Sequence, residues 1–594
     1  MASGKRSTSD VLAMLTELAG LTTLAEESPQ SFKVRAYENA RHALEGEARD
    51  ITGLSVAELV KIKGVGKATA SKVREFVETG SVEKLELLRS EYPPAFVELS
   101  KIPGVGPKTL KAMRRELGIE DLDGLKDAIA AESLRNLAGL GPASEAKIAK
   151  SIERLGLTGK DRRTPIADAL PLAENLVAEL ARVSGVAEVA YCGSLRRFSE
   201  TVGDIDITVA APEPGAAMGV IVELLMDHTQ VKEIILSGET KTSFLTPTGL
   251  QVDVRVVKPS EFGAATLYFT GSKAHNIALR QRAIDRGMTL NEYGLFRLDA
   301  AGKPGPNVAS ETEAAIYQAL DMAYVPTPMR EATGEVDAAA FDVDGSLPEV
   351  VQRTDIRGDL HYHTDRSGDG RSTVEEMVAQ ASSHGYEYLA ITDHGEDLAI
   401  NGSTQDEMLA HRAHIAEVQK AYPEITLLWG CELNIDPTGG LDYDADFRAQ
   451  FDYTVASVHS AFDRSAKEQT RRLVTAIADP TVDSIGHLTG RYIGRRPGIE
   501  LDIDIVLEAL FEFDVALEIN GALQRLDAAS DVVRRAVQRG VKLVINTDSH
   551  HTSELGRMDY GVLTAQRGWV PRELVVNTWP RARFLDWVAT HRDP

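Results

Sequence analysis

From residue 355 to the C-terminus, histidines and acids recur at the ends of short apolar runs, and this recurrence restricts the fold more than any other feature of the chain. The runs Tyr388–Ile391, Thr426–Trp429, Tyr453–Val458, Val515–Ile519 and Leu543–Asn546 read as strands separated by helical stretches. Such alternation predicts parallel strands in a barrel or sheet, with function at the strand ends. His361 and His363 face the same way if they share one strand. Asp369, His394, Glu432, His459, His487, Asp548 and His550 follow. A lone histidine at a strand end is usually structural, but six with three acids in equivalent places point to a metal cluster. Mixed imidazole and carboxylate ligands suit Zn²⁺, Mn²⁺ or Fe, and a bridging glutamate holds two ions close together. His411 and His414 read as solvated on a surface helix, and Cys431 as packing. Arg491, Arg495 and Arg496 read equally as cations that steer a phosphate backbone or as a surface loop.

Residues 165–325 mix strands at Val186–Ala190, Ile205–Ala210 and Gln251–Val257 with helices at Leu170–Ser184 and Gly219–Asp227. Here Gly193-Ser194-Leu195-Arg196-Arg197 precedes Asp204-Ile205-Asp206. Alternation puts Asp204 and Asp206 on one strand face, where they repel unless divalent cations lie between them. Asp253, on a later strand, completes a candidate two-metal site of the kind that activates a hydroxyl and neutralises leaving pyrophosphate. Asp-x-Asp alone is usually structural; a preceding Gly-Ser turn and a third acid make the nucleotidyltransferase signature. Gly193, Ser194 and Arg197 are the expected triphosphate contacts.

Residues 9–160 read as successive helices with short glycine turns. Ile62-Lys63-Gly64-Val65-Gly66 and Ile102-Pro103-Gly104-Val105-Gly106 repeat one pattern, echoed at Leu137-Ala138-Gly139-Leu140-Gly141. Such turns aim backbone N–H groups outward at the start of a helix, a nest for phosphates that reads no base. With Lys67 and Lys108 after them, Gly64, Gly66, Gly104 and Gly106 are candidate DNA contacts.

These motifs carry a resemblance. The paired glycine turns resemble helix-hairpin-helix motifs. Tyr268-Phe269-Thr270-Gly271-Ser272, His275-Asn276, Arg280 and Asn291-Glu292-Tyr293 resemble the nucleotide-selecting part of family X DNA polymerases. The resemblance implies that Tyr268 and Phe269 pack on the incoming sugar, that Gly271 belongs to the nucleotide site, that Asn276 meets the base and that Arg280 meets the template. It also places Lys72 where a lysine forms a Schiff base with deoxyribose-phosphate; a phosphate-contacting lysine is the equal alternative. Arg35, Lys61, Lys63 and Lys67 become candidate 5′-phosphate contacts. The histidine–acid set resembles the PHP (polymerase and histidinol phosphatase) domain and implies nine ligands: His361, His363, Asp369, His394, Glu432, His459, His487, Asp548 and His550. The spacing at Ser367-Gly368-Asp369-Gly370 departs slightly from that family's pattern.

A length of 594 residues calls for several domains. The expected division is an all-α helix-hairpin-helix region (1–90 and a fingers-like 91–160), an α/β nucleotidyltransferase palm (161–260), a thumb-like subdomain (261–325), a linker (326–354) and a (β/α) PHP barrel (355–594). The whole chain resembles bacterial family X DNA polymerases with a C-terminal PHP domain. That implies short-gap filling with two Mg²⁺ (or Mn²⁺) in the palm, and 3′-end or abasic-site processing with two or three Mn²⁺, Zn²⁺ or Fe ions in the PHP site. The alternatives are a PHP phosphatase on an inactive polymerase, or a DNA-binding scaffold. Expected partners are gapped or nicked DNA and deoxynucleoside triphosphates, with no membrane and a monomeric state. A net charge of −24 opposes DNA binding, but the first 160 residues are close to balance and acids can serve as cation ligands. Two cysteines, Cys192 and Cys431, and an N-terminus without a secretory signal's apolar core lead to the expectation of a reducing cytoplasm.

Overall fold

The computed structural model describes all residues except 1–7, 29–30, 46–50, 93–96, 98, 101, 103–104, 138, 159–162, 343–346, 399 and 593–594. It comprises two units, Met1–Arg162 and Arg163–Pro594. Gly104 lies outside the described residues.

The first unit is helical, and its amphipathic helices bury Leu15, Leu18, Leu44, Val73, Leu88, Leu110, Met113 and Ile148 in one cluster. Gly66 and Gly106 are the N-caps of helices Lys67–Thr79 and Pro107–Leu117, with no side-chain cap at either. Gly64 turns at φ +105°, a conformation L side chains rarely adopt, and a Cβ there would meet the Asn39 carbonyl at 3.4 Å.

The second unit opens with a five-stranded mixed sheet in the order Glu188–Tyr191, Asp204–Ala210, Gln251–Val257, Lys241–Leu245, Glu233–Ser237. Only the central pair, Asp204–Ala210 with Gln251–Val257, is parallel. The helix expected from Leu170 begins earlier, spanning Ile166–Leu180 and tolerating Pro171 in its second turn. A three-stranded antiparallel sheet, Met288–Asn291, Gly294–Leu298 and Pro304–Ala309, packs with helices Phe262–Thr270 and Glu313–Ala319.

Much of the expected linker after residue 325 is packed structure instead. Arg330 is fully buried, forking onto both carboxylate oxygens of Glu313 at 3.1 and 2.9 Å. Glu335 accepts from His275 Nδ1 at 2.6 Å, and His275 Nε2 lies 2.8 Å from the Tyr317 hydroxyl. Beside these polar contacts Met329, Val336 and Ala339 are buried in the thumb core, too few to set an apolar period.

The C-terminal sheet has seven parallel strands in chain order: Gly358–Asp359, Tyr388–Ile391, Thr426–Asn434, Tyr453–Ser457, Ser484–Ile485, Ala516–Asn520 and Leu543–Asn546. Backbone hydrogen bonds from His363 to the Ser549 carbonyl and from Asp548 to the His361 carbonyl join its first and last segments, so the barrel nearly closes. His361 and His363 therefore stand just beyond a short strand, not within one. Alternate residues divide: Leu389 and Ile391 pack outward on the helices, while Tyr388 and Ala390 fill the barrel. Phe584, from the last helix Arg581–Arg592, stacks on Tyr388 at 4.5 Å, with Trp579 and Trp587 in the same interior cluster. Among the described residues no helix is long and apolar enough to cross a membrane.

Phe584→Ala is expected to lower stability by roughly 3–5 kcal/mol, because it opens a cavity in the barrel interior. Urea unfolding followed by tryptophan fluorescence checks this, since Trp579 and Trp587 report from the same cluster.

Candidate active sites

Strand register builds the palm site. Asp206 pairs directly with Asp253 across the parallel strands, and Asp204 pairs with Gln251. Alternation puts Asp204 and Asp206 on one face. Burial, reinforced by Asp204 and Asp253, pushes the Asp206 carboxyl up to about 7. Burial and Asp253 raise Asp204 as well. Asp253 is drawn the other way: burial works to raise it, but hydrogen bonds from Lys241 and Gln251 leave it lowered. Lys241 Nζ lies 2.7 Å from Asp253 Oδ2, and Gln251 Nε2 donates to Oδ1 at 2.8 Å. Nothing in its own sequence segment marks Lys241 for this role. Asp206 faces Asp253 across the register with Asp204 on its own strand face, and two of these carboxyls are raised, an arrangement that suits a divalent cation.

Gly193 opens a short helix, Gly193–Arg196, straight after the edge strand. It has φ +66°, and a Cβ would approach Asp206 Oδ2 to 2.8 Å, so only glycine lets this turn sit beside the carboxylate. Ser194 follows in the first turn of that helix. Arg196 turns away, pairing with Glu313 at 2.5 Å and Thr270 Oγ1 at 2.7 Å. Arg197 donates from Nε to Glu331 at 3.0 Å and from Nη1 to the Thr270 carbonyl at 2.5 Å. A small recess is lined by Leu267, Tyr268, Asn276, Arg280 and Asn291. Asn276 spends an amide hydrogen on the Tyr268 carbonyl at 2.7 Å, Arg280 lies over the Tyr268 ring, and Arg255 lies over Phe269. Gly271 ends the helix that carries both rings.

At the barrel mouth, three overlapping groups of ligand atoms each lie within 4.8 Å: His363, Asp369, His394 and His550; His361, His363 and Asp548; His394, Glu432 and His459. His487 joins through Glu432 Oε1 at 3.0 Å, so all nine sequence-selected residues come together. Glu432 is central, with Oε2 2.9 Å from His394 Nδ1 and 3.5 Å from His363. Despite these close approaches, buried His394 Nδ1 and Glu432 Oε1 make no well-aligned hydrogen bond among the described residues. Burial opposes the charge on Glu432, yet His459, His361 and His394 hold it well below the usual carboxylate range. Burial, with His550 and His394 alongside, holds the His363 imidazole down to about 4, the neutral form a metal requires. Buried, converging and ill-satisfied donors of this kind fit cations.

Neighbours aim the imidazoles. His361 Nδ1 contacts Glu518 at 2.6 Å, His459 Nδ1 contacts Asn434 at 2.7 Å, and His550 Nδ1 contacts the Asp548 carbonyl at 3.0 Å. Each leaves Nε2 toward the cluster. His487 at φ +21° and Asp548 at φ +50° hold unusual backbone conformations at ligand positions. His411 is not solvated: it is buried 2.9 Å from Asp393, whose carboxylate accepts from Thr364 and Ser367 in the loop that leads to Asp369. Its partner Asp393 stands just past the strand Tyr388–Ile391 that precedes the helix carrying His411, a contact that helical spacing does not reveal. His414 pairs with Glu375 at 2.8 Å, half exposed. Arg491 is half-buried and forks onto Glu200 of the palm at 3.0 and 2.7 Å. Arg496 lies over Phe462 and Tyr492, and Arg495 is exposed. Cys431 is buried and free, as packing requires.

In the helical unit, Arg35, Lys61, Lys63, Lys67 and Lys108 are exposed, and Lys72 is half-buried in helix Lys67–Thr79.

Comparisons with known proteins agree with this layout. Residues 7–82 match the family described as helix-hairpin-helix domain, 96–154 the SAM-like helix-hairpin-helix tandem, 265–331 the DNA polymerase beta thumb and 359–522 the PHP domain. The chain is 35% identical over 572 residues to "DNA polymerase/3'-5' exonuclease PolX" of Bacillus subtilis, covering 96% of this chain and 97% of that protein. A "Probable phosphatase" of Acetivibrio thermocellus is 32% identical over 228 residues, covering 37% of this chain and 90% of its own length.

Glu518→Gln is expected to weaken metal binding at the barrel mouth about 10–100-fold, because it removes the carboxylate that orients His361. Competition with a chromophoric chelator measures it; unchanged affinity would show that Glu518 orients nothing.

Proposed function

Because this chain belongs to the family X DNA polymerases that carry a PHP domain, we propose that it fills short gaps in DNA from the palm and trims or unblocks 3′ ends at the barrel mouth. The observation that carries the reading is the coexistence of two carboxylate-centred sites in one unit. One is the Asp206–Asp253 pair beside the Gly193 turn. The other is the nine-residue cluster around Glu432.

In the palm, Asp204, Asp206 and Asp253 would hold two Mg²⁺ or Mn²⁺ ions. When bound, these supply charge neutralisation to the triphosphate and a lowered pKa to the 3′ hydroxyl. The chain does the rest by placement. The turn at Gly193 and Ser194 presents backbone N–H groups and a hydroxyl to the triphosphate. Arg197 adds charge, Tyr268 and Phe269 form the wall against the sugar, and Arg280 meets the template strand. At the barrel mouth the nine ligands would hold up to three Mn²⁺, Zn²⁺ or Fe ions, which when bound acidify a water and bind the scissile phosphate. The imidazoles are pre-aimed by Glu518 and Asn434, so little reorganisation is needed when substrate arrives. The glycine turns before Lys67 and Lys108 grip phosphates without reading bases. Lys72 is the candidate lyase nucleophile. The protein acts as a monomer on gapped or nicked DNA.

Asp206→Ala should abolish nucleotide addition on gapped DNA while 3′ trimming persists, and His363→Ala should do the reverse. Normal trimming by the His363 variant would remove the nuclease from the barrel. A second expectation concerns pH. Asp206 binds a cation only when ionised, and burial beside Asp204 and Asp253 pushes its carboxyl up to about 7. The apparent Mg²⁺ affinity of nucleotide addition should therefore fall as pH drops below about 7, and rise toward a plateau above it. Titrating Mg²⁺ at pH 6, 7 and 8 reads this.

A further inference from the structure

The palm turn at residues 193–200 is braced from three directions by the barrel domain. Its Phe198 stacks on Tyr560, with ring centroids 5.9 Å apart at 19°. Its Glu200 receives both terminal nitrogens of Arg491. Arg567 reaches the backbone itself, donating to the Arg197 carbonyl at 2.9 Å and to Glu331 Oε1 at 2.7 Å. Glu331 Oε1 also accepts from Arg197 Nε at 3.0 Å. Leu526 of the barrel is buried in the palm core, and Tyr560 and Leu563 pack against it.

The consequence for Arg197 is geometric. A planar guanidinium has a fixed fork of donors, and Nε and Nη1 are assigned here to Glu331 and the Thr270 carbonyl. The direction of the third nitrogen, Nη2, is thereby determined by where Glu331 sits. Arg567 helps determine that position, since it shares the same carboxylate oxygen and tethers the carbonyl of the residue whose side chain is being aimed. Arg567 ends helix Met558–Arg567, an element of the barrel domain and not of the palm.

We propose that Arg567 is a positioning residue for nucleotide binding: the barrel's helix Met558–Arg567 holds the Gly193–Glu200 turn and aims Arg197 at the triphosphate. This rests on the polymerase reading of the palm. It makes the barrel domain a structural part of the polymerase, independently of the barrel's own chemistry.

The test uses the full chain on gapped DNA, with kcat and KM for the nucleotide measured separately, together with 3′ trimming and the melting temperature. Arg567→Met should raise the nucleotide KM by about tenfold or more, as misplaced binding groups do. It should move kcat far less and leave trimming and melting near those of the wild type. The inhibition constant of inorganic tripolyphosphate, which lacks base and sugar, should rise in parallel. Arg567→Lys, which keeps a charged donor, should recover most of the affinity. A KM within twofold of the wild type overturns the proposal, and so does a parallel loss of nucleotide addition, trimming and melting temperature. If Arg567→Met does not fold, Arg567→Gln is read by the same criteria. Failure of the wild type to add nucleotides would instead remove the polymerase reading itself.

Discussion

Carboxylates held together against their mutual repulsion organise the larger unit. In the palm, Asp206 has Asp204 on its own strand face and Asp253 across the register, and burial, reinforced by both, pushes its carboxyl up to about 7. In the barrel the same difficulty is met differently: Glu432 is surrounded by imidazoles and stays ionised although fully buried. Desolvating a carboxylate is costly unless opposite charge accompanies it. The supporting structure therefore supplies cationic or donor neighbours at each point, Lys241 and Gln251 for Asp253, and Arg525 beside Asp548 at 3.5 Å.

Both sites lie where β-strands end or pair, since strands offer the stiffest way to aim side chains. A parallel pair delivers Asp206 and Asp253 side by side with no help from loops. The seven short barrel strands deliver a ligand at nearly every C-terminal end, and the loops beyond add Asp369 and His550. Joining the two sites in one unit takes different forces. Between palm and barrel, apolar burial of Leu526 and stacking of Phe198 on Tyr560 act together with the forked pair Arg491–Glu200. A forked arginine–carboxylate contact limits rotation as well as separation.

The thumb segment shows the same logic inside the fold. Glu313 is shared by Arg196 and the wholly buried Arg330, which holds its carboxyl down to about 2 although burial would raise it. His275 is buried between Glu335 and Tyr317, a core role its place beside Asn276 did not suggest. Hydropathy patterns carry no trace of such contacts, and for that reason residues 326–342 read as a linker while in fact closing the thumb.

Much of the site was legible from residue type and spacing. Alternation along a strand is a local property, so Asp204 and Asp206 had to share a face, and a histidine or acid after each apolar run had to gather wherever parallel strands close into a barrel. Tertiary structure alone decided the partners. It placed Lys241 on Asp253, Glu518 behind His361, and His411 under Asp393; it also turned Arg491 from the solvent to Glu200. These contacts join residues from about a dozen to nearly three hundred positions apart, and long polar side chains reach in any direction their surroundings allow. Periodicity reports which way a side chain leaves the backbone; it holds no information about what waits there.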